Sequence, residues 1–183
     1  MIQTVSNLNA TLSLLTLGGQ ILIFVLVLLL LFKKESPIIR FFEKHALLCA
    51  FLVALGGTVI SLFYSEVAGF DPCKLCWYQR IFMYPQVVLL GIALWEKDYS
   101  VAKYSLTLSL VGGMIAFYHY YGQMFNPSAL PCEVIGLTPA CSQRFFVEFG
   151  YITIPMMALT GFVLILVLMA LVKKQGTENF PSE

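Results

Sequence analysis

The sequence predicts an all-α membrane protein, and three observations carry that prediction. Of its 183 residues, 59% are hydrophobic and only 11% charged, where a soluble domain carries about 25% charged residues. The apolar residues gather in five runs near the ~20 residues needed to cross a bilayer. Basic residues sit mostly in alternate gaps between those runs, as they do when cytoplasmic loops are enriched in Lys and Arg. A net charge of +1 gives no basic surface for nucleic acid.

The first run extends from Leu12 to Phe32. Met1 to Ala10 has no basic residue and no small-x-small cleavage site follows the run, so it is read as a retained span and not a signal peptide. The second run is Ala46 to Tyr64 and the third Trp77 to Trp95, with Arg80 its one charge. Tyr104 to Tyr121 and Tyr151 to Val172 complete the set. Tyr and Trp at several limits match the aromatic belts of membrane interfaces. Pro85 and Pro155 fall inside runs, which membrane helices accommodate when neighbours re-satisfy the freed carbonyls. Gly pairs at Gly18, Gly56 and Gly112 are read as close helix contacts.

Eight basic residues (Lys33, Lys34, Arg40, Lys44, Lys97, Lys103, Lys173 and Lys174) fall on one side of this layout. Lys74, Arg80 and Arg144 fall on the other. The positive-inside rule then puts the N-terminus outside and the C-terminus inside. Residues 1–45 form a first span and a basic cytoplasmic linker, 46–172 a core with two outer loops, and 173–183 a polar cytoplasmic tail.

Four of the five cysteines lie in those outer loops: Cys73 and Cys76 in one, Cys132 and Cys141 in the other. Disulfides form and persist outside the cytoplasm, so cysteine placement and charge count converge. Asp71 as N-cap with Pro72 in the first turn would start a helix that carries Cys73 and Cys76. Helix N-termini stabilise thiolates, the attacking and leaving form in disulfide exchange. Cys73, Cys76, Arg80 and Tyr84 then share one helical stripe. An arginine inside a span reads as functional, and its fixed donors suit a carbonyl oxygen that gains charge on reduction. A lipid-soluble quinone offers such an oxygen.

A four-Cys zinc site pairs two CxxC-like knuckles, whereas eight residues separate Cys132 from Cys141, so no metal is expected. Cys49 reads as a small apolar residue of the second span, and Tyr84 and His45 as interfacial. The loop cysteines could also be inert staples of a membrane scaffold, a non-enzymatic alternative.

The CKLCWYQR segment at 73–80, the second cysteine pair and the membrane frame together resemble the DsbB family, including its BdbC branch. The resemblance spans about residues 46–172 and implies a four-helix transmembrane bundle, here with one extra N-terminal helix. It implies a membrane thiol oxidase that re-oxidises a DsbA-like thioredoxin-fold protein and passes electrons to ubiquinone or menaquinone in the bacterial inner membrane. It implies that Cys73 and Cys76 are the quinone-facing pair, that Cys132 and Cys141 exchange with the soluble partner, and that Arg80 lies beside the quinone. His119 and Gln123 match an HxxxQ pattern near the quinone. Gln79 stands where Gram-negative members often carry an acid. A vitamin K epoxide reductase-like oxidase is the enzymatic alternative, but that family places its CxxC after the loop pair.

Overall fold

The computed structural model describes residues 2–32, 36–127, 130 and 141–179. Five helices account for most of them: α1 (Ile2–Leu31), α2 (Pro37–Glu66), α3 (Lys74–Glu96), α4 (Ala102–Met124) and α5 (Ile154–Asn179). Helices α1, α2, α4 and α5 each contain a stretch long and apolar enough to cross a membrane. The 23 residues of α3 reach about 35 Å at 1.5 Å each, enough for a hydrocarbon core of about 30 Å. Its lower hydropathy comes from Gln79, Arg80 and Gln86, all three buried inside the bundle.

Local sequence sets the helix limits. Ser36 caps α2, its hydroxyl accepting from the Ile39 amide at 3.3 Å, and Pro37 fills the first turn, where a missing N–H costs nothing. Lys97 ends α3 in the left-handed region at φ 56°. Asp98 then caps a short 3-10 turn, Tyr99–Val101, by accepting from the Ser100 amide at 2.8 Å. One start differs from expectation. Cys73, extended at φ −71° and ψ 172°, is the N-cap of α3, and its carbonyl accepts the first helical bond from the Trp77 amide. The helix therefore begins at Lys74, past Asp71 and Pro72.

Helices α2, α3, α4 and α5 close into a ring, each packing on the next and α5 returning to α2, while α1 lies against α5 outside the ring. This is the all-α membrane bundle with one added helix. The core is aliphatic, with Leu90, Ile165, Leu168 and Phe162 fully buried or nearly so. Polar clasps add to it: the buried Gln86 carbonyl accepts from Ser105 and Ser109 hydroxyls at 2.7 and 3.0 Å, tying α3 to α4. Gly112 lets α4 approach α5, since a Cβ there would lie 2.5 Å from the Phe162 ring.

Both loops that hold cysteines meet at one end of the ring. Phe70 of the first loop stacks on Tyr64 at the end of α2 and, with centroids 4.5 Å apart, on Phe145 of the second. Phe146 leans on Tyr64 as well. The second loop returns to α5 through a turn closed by a Glu148–Ile152 bridge, with Gly150 at φ 77°. Lys33, Lys34 and Cys132 lie outside the described residues.

Candidate active site

Cys73 and Cys76 stand at the start of α3 with their sulfurs 3.2 Å apart, hydrogen-bonded and unbridged. Cys141, in the second loop, is buried and disulfide-bonded. Its sulfur, the Cys73 sulfur and a His119 ring nitrogen all lie within 4.8 Å of one another. Leu75 and Leu130 pack around the two sulfurs. Sulfur from each loop thus meets in one buried cluster, within a short movement of the contact that exchange requires.

His119 of α4 organises that cluster. Gln79 of α3 donates from its amide nitrogen to His119 Nδ1 at 3.0 Å, which leaves the ring proton on Nε2. That nitrogen donates to the Cys141 carbonyl at 3.0 Å and stands 3.8 Å from the Cys73 sulfur. Gln123, one turn along α4, donates to the Gln143 carbonyl at 2.8 Å. Arg144 returns the contact, donating twice to the Gln123 carbonyl. The α4 face therefore fastens the Cys141 loop over Cys73.

Cys73 precedes the helix proper, and its thiol is lowered from an ordinary 9.0 to about 4. Its hydrogen bond with Cys76 is the main cause; burial opposes the shift and His119 assists it. The reduced pair is thus a ready thiolate. Cys73, His119 and Cys141 are residue types that hold metals. Thiolate is the metal ligand, however, and the Cys141 sulfur is committed to a disulfide. Sulfur exchange fits this donor set and metal binding does not.

Two cavities flank the pair, and their sizes assign them different occupants. The smaller, of about 20 Å³, is lined by Cys73, Cys76, His119, Gln123 and Cys141; it has room for a water. The larger, of about 370 Å³, runs along Cys76, Gln79, Arg80 and Tyr84 between α2, α3, α5 and α1. That volume falls among small-molecule sites of roughly 300–1,000 Å³. Cys76 lines both cavities, while Cys73 lines only the smaller.

Arg80 is buried in the wall of the larger cavity. Its Nε donates to the Ser61 hydroxyl and an Nη to the Ser61 carbonyl, both at 2.9 Å. The Tyr84 hydroxyl also donates to Ser61 Oγ at 3.3 Å, and the guanidinium lies 5.1 Å from the Trp77 ring centroid. Among the described residues no carboxylate pairs with it. Ser61 occupies two of the five N–H donors of a guanidinium, so positive charge and spare donors remain for a ligand in the cavity.

The sequence-predicted residues thus separate into two groups. Cys73, Cys76, Cys141, His119 and Gln123 gather at the small cavity; Cys76 and Arg80 gather at the large one. His119 and Gln123 do not line the large cavity, so their expected place beside a quinone draws no support from their position. Cys132 cannot be placed, lying outside the described residues. Sequence reasoning did not single out Ser61 or Gln79 as partners. An intramembrane Arg needs an acceptor and an intramembrane His a tautomer partner, and polar residues inside apolar runs are the signal that could have named both.

The family model for disulfide bond formation protein DsbB matches residues 43–172. The chain is 44% identical over 125 residues to probable disulfide formation protein C of Bacillus cereus, covering 68% of this chain and 89% of the relative. It is 42% identical over 134 residues to disulfide bond formation protein C of Bacillus subtilis, covering 72% and 95%. With probable disulfide formation protein of Metapseudomonas resinovorans it shares 38% identity over 135 residues, covering 73% and 92%. No solved structure matches. A family model that covers most of this helical membrane bundle and relatives of about 40% identity agree, and this chain belongs to the disulfide bond formation protein DsbB family.

Proposed function

We propose that the protein is a membrane thiol oxidase that serves disulfide bond formation. It takes electrons from a reduced DsbA-like thioredoxin-fold protein through the second loop and delivers them to a quinone at the larger cavity. One observation carries this reading: Cys76 borders both the sulfur cluster and the Arg80 cavity. The inert-staple alternative does not account for two unbridged thiols packed against a disulfide-bonded cysteine.

A partner thiolate attacks the disulfide of the second loop, forming a mixed disulfide and releasing one loop cysteine as thiolate. The partner's second thiol completes its own disulfide, leaving the loop pair reduced by two electrons and two protons. Cys141 thiolate attacks Cys73 of an oxidised Cys73–Cys76 bridge and expels Cys76 as thiolate. The other loop cysteine then displaces Cys73, which restores the loop disulfide and leaves the CxxC pair reduced. His119, donating from Nε2 at the cluster, stabilises the thiolate form of Cys73. Arg80, anchored by Ser61, holds positive charge beside Cys76 on the cavity side. Arg80 and the cavity face of Cys76 would hold a quinone, which would supply acceptance of two electrons and two protons as the CxxC pair returns to its disulfide.

The test uses the purified protein in detergent with a reduced DsbA-like protein and a soluble quinone, followed by quinone absorbance. Cys76→Ser is expected to abolish quinone reduction. Arg80→Ala is expected to lower it roughly 10²-fold, the usual effect of removing a fixed donor from a developing oxyanion, with partner–loop exchange preserved. A Cys73→Ser variant that reduces quinone as fast as the parent overturns the assignment.

A further inference from the structure

Helix α1 precedes the residues matched by the family model, which begin at residue 43, yet it supplies Leu12, Leu15, Thr16 and Gly19 to the lining of the larger cavity. This helix is otherwise a plain hydrophobic span. Two of its four amide side chains, Asn9 and Gln20, reach other helices, as they must where an unpaired amide in hydrocarbon is costly. Asn9 accepts from the Tyr64 hydroxyl of α2 at 2.7 Å. Gln20 donates to Thr160 of α5 at 3.2 Å and accepts from the Tyr151 hydroxyl, three residues before α5, at 2.7 Å.

These bonds fasten α1 to both sides of the cavity. One clasp reaches α2 and the other α5, the two helices whose Gly56 and Met157 also line the space. A helix pinned at both edges must bridge the gap between them. Leu15 of α1 and Leu52 of α2 line the cavity and remain 66% and 54% exposed. They mark a rim facing the surrounding hydrocarbon between these helices. On the opposite wall stand Cys76 and Arg80, a redox sulfur and a buried cation with donors to spare.

We infer that α1 is the outer wall of the electron-acceptor site. Asn9 and Gln20 hold it there, and a lipid-soluble quinone occupies the space between α1 and the Cys76–Arg80 face, entering past Leu15 and Leu52. This rests on the proposed quinone reading of the cavity. It gives the first helix a ligand-binding role beyond membrane anchoring.

Photolabelling of the intact full-length protein tests it without reference to turnover. A quinone analogue with a photoreactive azide at the base of its tail is bound, illuminated and mapped by peptide mass spectrometry, with excess unlabelled quinone as competitor. Competed label is expected within residues 12–19 of α1 and on α3 near Cys76 and Arg80. Competed label on α2, α3 and α5 with none on α1 overturns the wall while leaving the quinone site standing. Failure to find competed label on any of these helices overturns the quinone reading, and this inference with it. The full-length Asn9→Leu, Gln20→Leu double variant should retain the α3 label, lose the α1 label and bind the competitor roughly tenfold more weakly. Unchanged labelling of α1 in a folded double variant removes the two amides as its clasps and overturns that part.

Discussion

At the residue scale, a difference of one cap position decides how the CxxC pair works. A helix beginning at Asp71 or Pro72 would hold both cysteines in regular register and turn both toward the Arg80 stripe. The actual start at Lys74 leaves Cys73 extended, free of the helical period, and its sulfur turns to His119 and Cys141. Cys76, Arg80 and Tyr84 keep the period and share the larger cavity. The stripe was therefore legible in the sequence for three of its four members; the fourth depended on packing against Leu130 and Cys141, distant in the chain. The lowered Cys73 thiol gives a direct test. Below about pH 4 the reduced pair should lose its thiolate absorbance, and above it the thiolate should persist, since the folded value lies far under the ordinary 9.0. His119→Ala removes a group that favours the thiolate, so the absorbance midpoint should move to higher pH. An unmoved midpoint would mean that the imidazole does not act on Cys73.

At the element scale, the five apolar runs foretold five helices, because span length is dictated by bilayer thickness, but α1 and α2 begin about ten residues before their apolar runs, at Ile2 and Pro37. Which helix packs on which was not legible, since it depends on small contacts such as Gly112 against Phe162 and Gln86 against Ser105 and Ser109. The glycines illustrate the point. All three pairs looked alike as packing positions, yet a Cβ at Gly112 would meet the Phe162 ring at 2.5 Å and Phe82 at 3.0 Å, whereas one at Gly18 or Gly56 would meet nothing within 4 Å. Phe162 is fully buried and cannot swing aside without disturbing the α4–α5 contact. Gly112→Ala should therefore destabilise the protein by about 1–3 kcal/mol, the common cost of overpacking, seen as a lower midpoint of thermal unfolding in detergent. Gly18→Ala should leave the midpoint unchanged or raise it slightly, because alanine favours helix over glycine. Equal midpoints for Gly112→Ala and the parent would show that α4 and α5 are less tightly opposed than these distances require.

At the scale of the whole molecule, the arrangement places all its sulfur chemistry at one end. Tyr64, Phe70, Phe145 and Phe146 stack there, joining the end of α2 to both loops, and Asn9 bonds to Tyr64 from the first third of α1. Lys97 and Lys103 flank the α3–α4 turn at the other end. The sulfur-bearing loops thus gather at one end of the fold and the Lys97–Lys103 turn at the other. If positive-inside bias sets the insertion, the sulfur end faces an oxidising compartment, as a disulfide relay requires. Cysteines introduced at exposed positions can report this. Glu66→Cys, at the sulfur end, should react with a membrane-impermeant maleimide in intact spheroplasts, above the background of the parent. Lys97→Cys, at the basic end, should react only after the membrane is broken. The reverse pattern would put the cysteine loops in the reducing cytoplasm, where glutathione and thioredoxin keep thiols reduced. The proposed flow of electrons from a secreted thiol partner would then have no entrance.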